Sequence, residues 1–167
     1  MRYYRKFLLL LTLSLLLPLG GCGRQITAAE VLDSMCSSQQ FLPAGQIYRK
    51  DAEPGEAAFA DCELLAALYG EGELPPEFEV INDYAIRLCS FAEPHELAVF
   101  QCVSARDAYD VAQMCLRRVG RLQVSCRETE HAAMADGAQV SVIGKTVLMA
   151  VCTDPLDAIV DGRRAAR

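Results

Sequence analysis

The chain has 167 residues, is just over half hydrophobic, and carries a formal net charge of −6 with eight cysteines and no tryptophan. A chain of this length holds one domain with a real core. Its acidic balance argues against nucleic acid as a partner, because a polyanion would be repelled.

The first 22 residues read as a bacterial lipoprotein signal. Arg2, Arg5 and Lys6 form a charged leader. Phe7 to Leu17 is an apolar run broken only by Thr12 and Ser14, and it falls short of the about 20 residues that a membrane span requires. Leu19-Gly20-Gly21-Cys22 then has the order of a lipobox, with small residues for a peptidase and a cysteine to carry lipid. Residues 1–21 are expected to be a cleaved signal peptide, Cys22 the lipidated residue, residues 22–26 a short tether and residues 27–167 a single domain. Two or three chains of the palmitate type suffice for stable anchoring. The expected location is therefore the outer, extracytoplasmic face of the cell membrane. Loss of the leader removes three basic residues and no acid, taking the charge from −6 to −9. Arg163, Arg164 and Arg167 then form the basic cluster of the chain, read as a solvated tail.

The mature region opens with a helix start. Thr27 caps, Glu30 completes a capping box, and Val31, Leu32, Met35 and Cys36 fall on one side. Residues 37–55 read as a surface loop with room for a short strand at Gln46 to Arg49. A second helix is expected from Glu56 to Tyr69, stopped by Gly70. Asp83 to Phe91 and Glu96 to Val103 alternate as two strands around a turn at Ala92-Glu93-Pro94-His95. With the turn centred between Glu93 and Pro94, one face holds Tyr84, Ile86, Leu88, Leu97, Val99 and Val103. The other holds Ala85, Arg87, Cys89, Phe91, Ala98, Phe100 and Cys102. In that register Cys89 lies opposite Ala98 and Cys102 opposite Ala85, so the two thiols are roughly 13 Å apart and cannot bond. A long helix from about Asp107 to Cys126 carries an apolar stripe from Ala108 to Cys126, with Arg117, Arg118 and Arg121 off it as a solvated face or a source of ion pairs. Ala138 to Ile143 and Thr146 to Cys152 flank Gly144-Lys145, a pair suited to a two-residue type II′ turn. Asp154 and Pro155 open a short terminal helix through Val160. The fold expected is α+β: a two-layer sandwich in which an antiparallel sheet of two hairpins packs against helices, in the order α-α-ββ-α-ββ.

With Cys22 given to lipid, Cys36, Cys62, Cys89, Cys102, Cys115, Cys126 and Cys152 remain, an odd number with no Cys-x-x-Cys spacing. They read as buried thiols packed as small hydrophobes, or as one to three disulfides of an exported protein. The chain lacks a nucleophile elbow, a phosphate loop, a His-Glu-x-x-His pair and a dinucleotide fingerprint, so no catalytic residue, cofactor or metal site is assigned. A dyad of Cys89 or Cys102 with His95 is the thiol arrangement that nucleophilic chemistry would need. Glu128-x-Glu130-His131 reads as an acidic loop at a helix end rather than a metal site.

Several segments recur in a recognisable order: the lipobox, Leu68-Tyr69-Gly70, Asp83-Tyr84-Ala85-Ile86, Pro94-His95-Glu96-Leu97-Ala98-Val99-Phe100 and the helix with Arg117-Arg118. In this the chain resembles the uncharacterised lipoproteins of clostridia and relatives that share domain of unknown function 4358. The resemblance covers most of residues 27–160 and implies no activity, cofactor or catalytic residue.

The function expected is that of a non-catalytic binding or accessory module of the cell envelope. It would be attached to the membrane by its lipid and take another envelope protein or a small ligand. Arg87, Cys89, Phe91, Phe100 and Cys102 form the candidate binding face if helices cover only the opposite side of the sheet. The alternative is a thiol-based redox or hydrolytic envelope enzyme, which requires a cysteine beside a histidine or an arginine.

Overall fold

A computed structural model of the protein describes residues 25–90 and 93–167. The expected signal peptide and lipobox, including Leu19, Gly20, Gly21 and Cys22, lie outside the described residues, as does Phe91. The elements run in the order α1 (Ala28–Ser37), β1 (Gln46–Arg49), α2 (Cys62–Tyr69), a 3-10 turn (Pro76–Val80), β2 (Ile81–Ser90), β3 (Glu93–Cys102), α3 (Ala105–Cys126), α4 (Ala132–Asp136), β4 (Gln139–Ile143), β5 (Thr146–Val151) and α5 (Pro155–Ala165). Five strands form one antiparallel sheet in the order β1-β2-β3-β5-β4. The class is α+β, and two hairpins make up the sheet with β1 added at one edge.

Local signals account for most element ends. Thr27 and Glu30 close a reciprocal capping box at the start of α1. Asp61 accepts from the Leu64 amide at 2.7 Å and starts α2 at Cys62, six residues later than the helix propensity of Glu56 onward suggests. Ser104 caps α3. Gly144, at φ +57°, opens the tight turn that pairs Val142 with Val147 and Ile143 with Thr146.

Helices flank both faces of the sheet, so the single helical layer expected becomes two. On one face α2 and α3 pack over Tyr84, Ile86, Ala98, Phe100, Val147 and Met149. On the other, α1 and α5 cover Ala85, Leu97, Val99, Leu148 and Ala150. The physical reason lies in β3 and β5. Every residue of β5 is buried, and such a run apolar on both sides needs cover on both sides.

The first hairpin also departs from the expected register. Tyr84 pairs with Phe100, Ala85 with Val99 and Ile86 with Ala98, and irregularities occur between Ile81 and Asp83 and between Leu88 and Ser90. Ala85 was expected opposite Cys102, so the pairing has moved by three residues. An odd shift turns a strand over. Ala98, Phe100 and Cys102 therefore share a core with Tyr84 and Ile86, not with Arg87 and Cys89.

Close backbone approach fixes Gly70 at the end of α2. A Cβ there would collide with the Glu73 carbonyl and come within 2.9 Å of the Ala66 oxygen. Gly70→Ala should cost about 1–3 kcal/mol in urea denaturation. Gly120→Ala, where a Cβ meets nothing within 4 Å in the interior of α3, should gain about 0.5–1 kcal/mol.

Candidate functional site

Three polar side chains meet at the core, with Tyr69 and Glu96 buried and Arg118 17% exposed. Tyr69 ends α2, Glu96 lies on β3 and Arg118 faces them from α3. The Tyr69 hydroxyl donates to Glu96 Oε1 at 2.7 Å, and Arg118 Nε donates to Glu96 Oε2 at 2.9 Å. A terminal guanidinium nitrogen of Arg118 lies 2.8 Å from the same oxygen, and the Glu96 side chain is 1% exposed. Each carboxylate oxygen thus has a donor, which is the condition for a buried charge to be tolerated.

Packing aims the Tyr69 hydroxyl. Its ring stands edge-on to Phe100 at 5.4 Å and tilted against Phe78 at 5.9 Å. Burial, followed by the charge of Glu96, holds the Tyr69 hydroxyl well above its ordinary pKa, so it stays a donor. Burial alone would lower Arg118; Glu96 more than offsets it, and the guanidinium remains charged.

Glu96 and Arg118 wall a cavity of about 470 Å³. Gln46 and Tyr48 of β1, Leu68 of α2, Leu88 and Cys89 of β2, and Pro94 and His95 of β3 form one side. Leu122, Ser125 and Cys126 of α3 with Thr129 and His131 beyond it complete the enclosure. Its walls combine an apolar lining with convergent polar groups, and its size lies within the range of about 300–1,000 Å³ typical of ligand sites. Because Glu96 and Arg118 neutralise each other, the pair presents a dipole rather than a net charge.

The sequence-predicted residues divide. Arg87 and Cys89 are half-buried against the loop that follows α1, with Cys89 also reaching the cavity wall, whereas Phe100 and Cys102 are buried in the core beneath α3. The four do not make one face, and Phe91 lies outside the described residues. The reason is the strand reversal described above. Of the two dyads considered, Cys89 and His95 wall the same cavity. Cys102 ends β3 seven residues from His95, roughly 23 Å along the strand. His131 joins the cavity wall, while Glu130 is 90% exposed, with 3.9 Å between its Oε1 and His131 Nε2. Among the described residues no cluster of three or more His, Cys, Asp or Glu could hold a metal ion.

The arginines of α3 act as ion-pair and hydrogen-bond donors. Arg117 pairs with Glu77, Arg118 with Glu96, and Arg121 donates to the Leu68 carbonyl at 2.6 Å. Sequence reading missed that Tyr69, Glu96 and Arg118 meet. One signal was present: an acidic residue sits at position 96 amid the apolar residues 97–100, where an unpaired charge would not be tolerated.

No family model, curated protein or solved structure matches the chain. None of the described helices is long and apolar enough to cross a membrane.

Proposed function

We propose that the protein is a non-catalytic, small-ligand-binding module of the cell envelope, held on the outer face of the membrane through a lipid on Cys22. We group it with the lipoproteins that share domain of unknown function 4358. The anchor rests on the charged leader, the apolar run and Leu19-Gly20-Gly21-Cys22. The binding role rests on one observation, the cavity of about 470 Å³ walled by Glu96 and Arg118. A mutually neutralised pair favours a neutral ligand with a polar head over an ion, and Leu68, Leu88 and Leu122 suit an apolar body.

Primary amides from butanamide to octanamide are suitable probes. At millimolar concentration they should raise the melting temperature increasingly with chain length. Ser125 is exposed at the wall of the cavity. Ser125→Trp should therefore abolish the rise while leaving the unliganded protein folded. A rise equal in both proteins, or none in the wild type, would remove the binding reading. The anchor is tested separately: labelling by an alkyne fatty acid should be lost in Cys22→Ala.

A further inference from the structure

A second cluster, beside the loop that follows α1, sets one cation against Cys89, with Cys36 and Cys152 within electrostatic reach of that sulfur. Arg87 and Cys89 are two residues apart on β2, and Arg87 Nη1 lies 3.0 Å from Cys89 Sγ. Both also bond the Pro43 carbonyl in the loop after α1, Arg87 through Nη2 and the Cys89 thiol at 3.6 Å. Cys36, in the last turn of α1, is half-buried and within electrostatic reach of both Arg87 and Cys89. Cys152, just beyond β5, is 1% exposed and within reach of Cys36 and Cys89.

Their accessibilities and positions assign different roles. Cys89 is half-buried, walls the cavity and has a guanidinium against its sulfur, the setting in which a cysteine acts as a nucleophile. Cys152 lies on the far side of β3 from Cys89. Two strand spacings, roughly 9.5 Å, exceed the Cα separation that a disulfide spans. Cys36 sits where a helix end meets a loop, so closing on Cys89 requires movement of one turn and not of the sheet.

We infer that Cys89 is a thiol–disulfide exchange site for small disulfides, with Cys36 as its resolving thiol. The Cys89 thiolate, its proton passed to water, attacks one sulfur of R–S–S–R. That bond breaks, R–S⁻ leaves and takes a proton, and Cys89 holds the other half as a mixed disulfide. The Cys36 thiolate then attacks the Cys89 sulfur, forming Cys36–Cys89 and releasing the second R–S⁻. Two protein thiols are oxidised and one small disulfide is reduced to two thiols. Burial pushes the Cys36 thiol above its ordinary pKa, so resolution is the slower step and the adduct builds up first. The exchange is read as covalent adducts at Cys89 and the ligand reading as a melting-temperature rise, so the two can fail separately.

The test treats the full chain with bis(2-hydroxyethyl) disulfide, quenches with an alkylating agent and maps peptides by mass. The wild type should pass through a Cys89 adduct to a Cys36–Cys89 link. Cys36→Ser should stop at the adduct, and Cys89→Ser should give neither. Arg87→Gln should slow adduct formation at Cys89 by about tenfold, while Arg87→Lys retains most of the rate. Exposed Cys62 serves as the internal standard. A Cys36–Cys152 link overturns the assignment. So does a Cys89 no faster than Cys62 in the wild type, or a rate unmoved by Arg87→Gln.

Discussion

Arg118→Met should destabilise the domain by about 3–5 kcal/mol, and Glu96→Leu combined with it should recover much of that loss. The Glu96 side chain is 1% exposed and takes both of its Arg118 contacts on one oxygen, at 2.8 and 2.9 Å. Removing the cation leaves a carboxylate in the core between β3 and α3, with only the Tyr69 hydroxyl to compensate it. The cost of that single variant is the cost of an uncompensated charge, not the worth of the pair. Exchanging both members for apolar groups removes the charge and its desolvation together, so the double variant should lie well above Arg118→Met in stability. Urea denaturation of the two singles and the double completes the cycle. Additive losses would mean that the two residues do not act as one unit. Tyr69→Phe removes one donor and keeps the ring packing against Phe100, and should cost about 1.5–3 kcal/mol.

Alkali should unfold the protein earlier than its acidic composition suggests. Burial pushes the Cys102 thiol up to about 11 and the Cys152 thiol up to about 12. Burial likewise holds Cys115 well above its ordinary value and Tyr69 well above that of a phenol. In the unfolded chain these thiols ionise near their ordinary pKa of 9.0. The native state therefore binds more protons than the unfolded state above that pH, and stability falls as pH rises. The thiol contribution is intact below pH 9 and declines progressively from there to about 11 or 12, with Tyr69 adding to the slope above pH 10. Shifts of this order correspond to several kcal/mol in total, against a net stability of about 5–15 kcal/mol for a domain. The urea midpoint should be flat from pH 7 to 8.5 and drop steeply by pH 10. Cys152→Ala should begin lower at pH 7 and lose less on the way to pH 10. A midpoint unchanged between pH 7 and 10 would show that these sulfurs are not buried as thiols.

How far the cavity could be anticipated depends on which residues build it. Leu122 and Cys126 belong to the apolar stripe of α3, which a period of three and four displays directly. Glu96 and Arg118 are 22 residues apart and Tyr69 and Glu96 are 27 apart. No local rule links such positions, and an isolated arginine on a helix reads as solvated. Cys89 and Arg87 were singled out together and do adjoin, with Arg87 Nη1 3.0 Å from Cys89 Sγ. Phe100 and Cys102 were placed with them through a register that the turn did not specify.

The contrast between the two hairpins marks the boundary between local and tertiary information. Gly144-Lys145 carries its own conformational demand, so its two-residue turn and the pairing of Val142 with Val147 followed from sequence alone. The capping box at Thr27, the helical stripe of α3 and the α+β class rest on the same kind of local chemistry. The turn between β2 and β3 has no such residue pair. Its register was decided by burial, which places Phe100 among Tyr69, Phe78 and Tyr84 and sets Glu96 against Arg118. The second helical layer was decided in the same way, since β3 and β5 are apolar on both faces and α1 and α5 supply the missing cover. Backbone preference acts over a few residues and is legible in order along the chain. The face that a strand shows, and the partner that a buried charge finds, depend on which distant surfaces exclude water together.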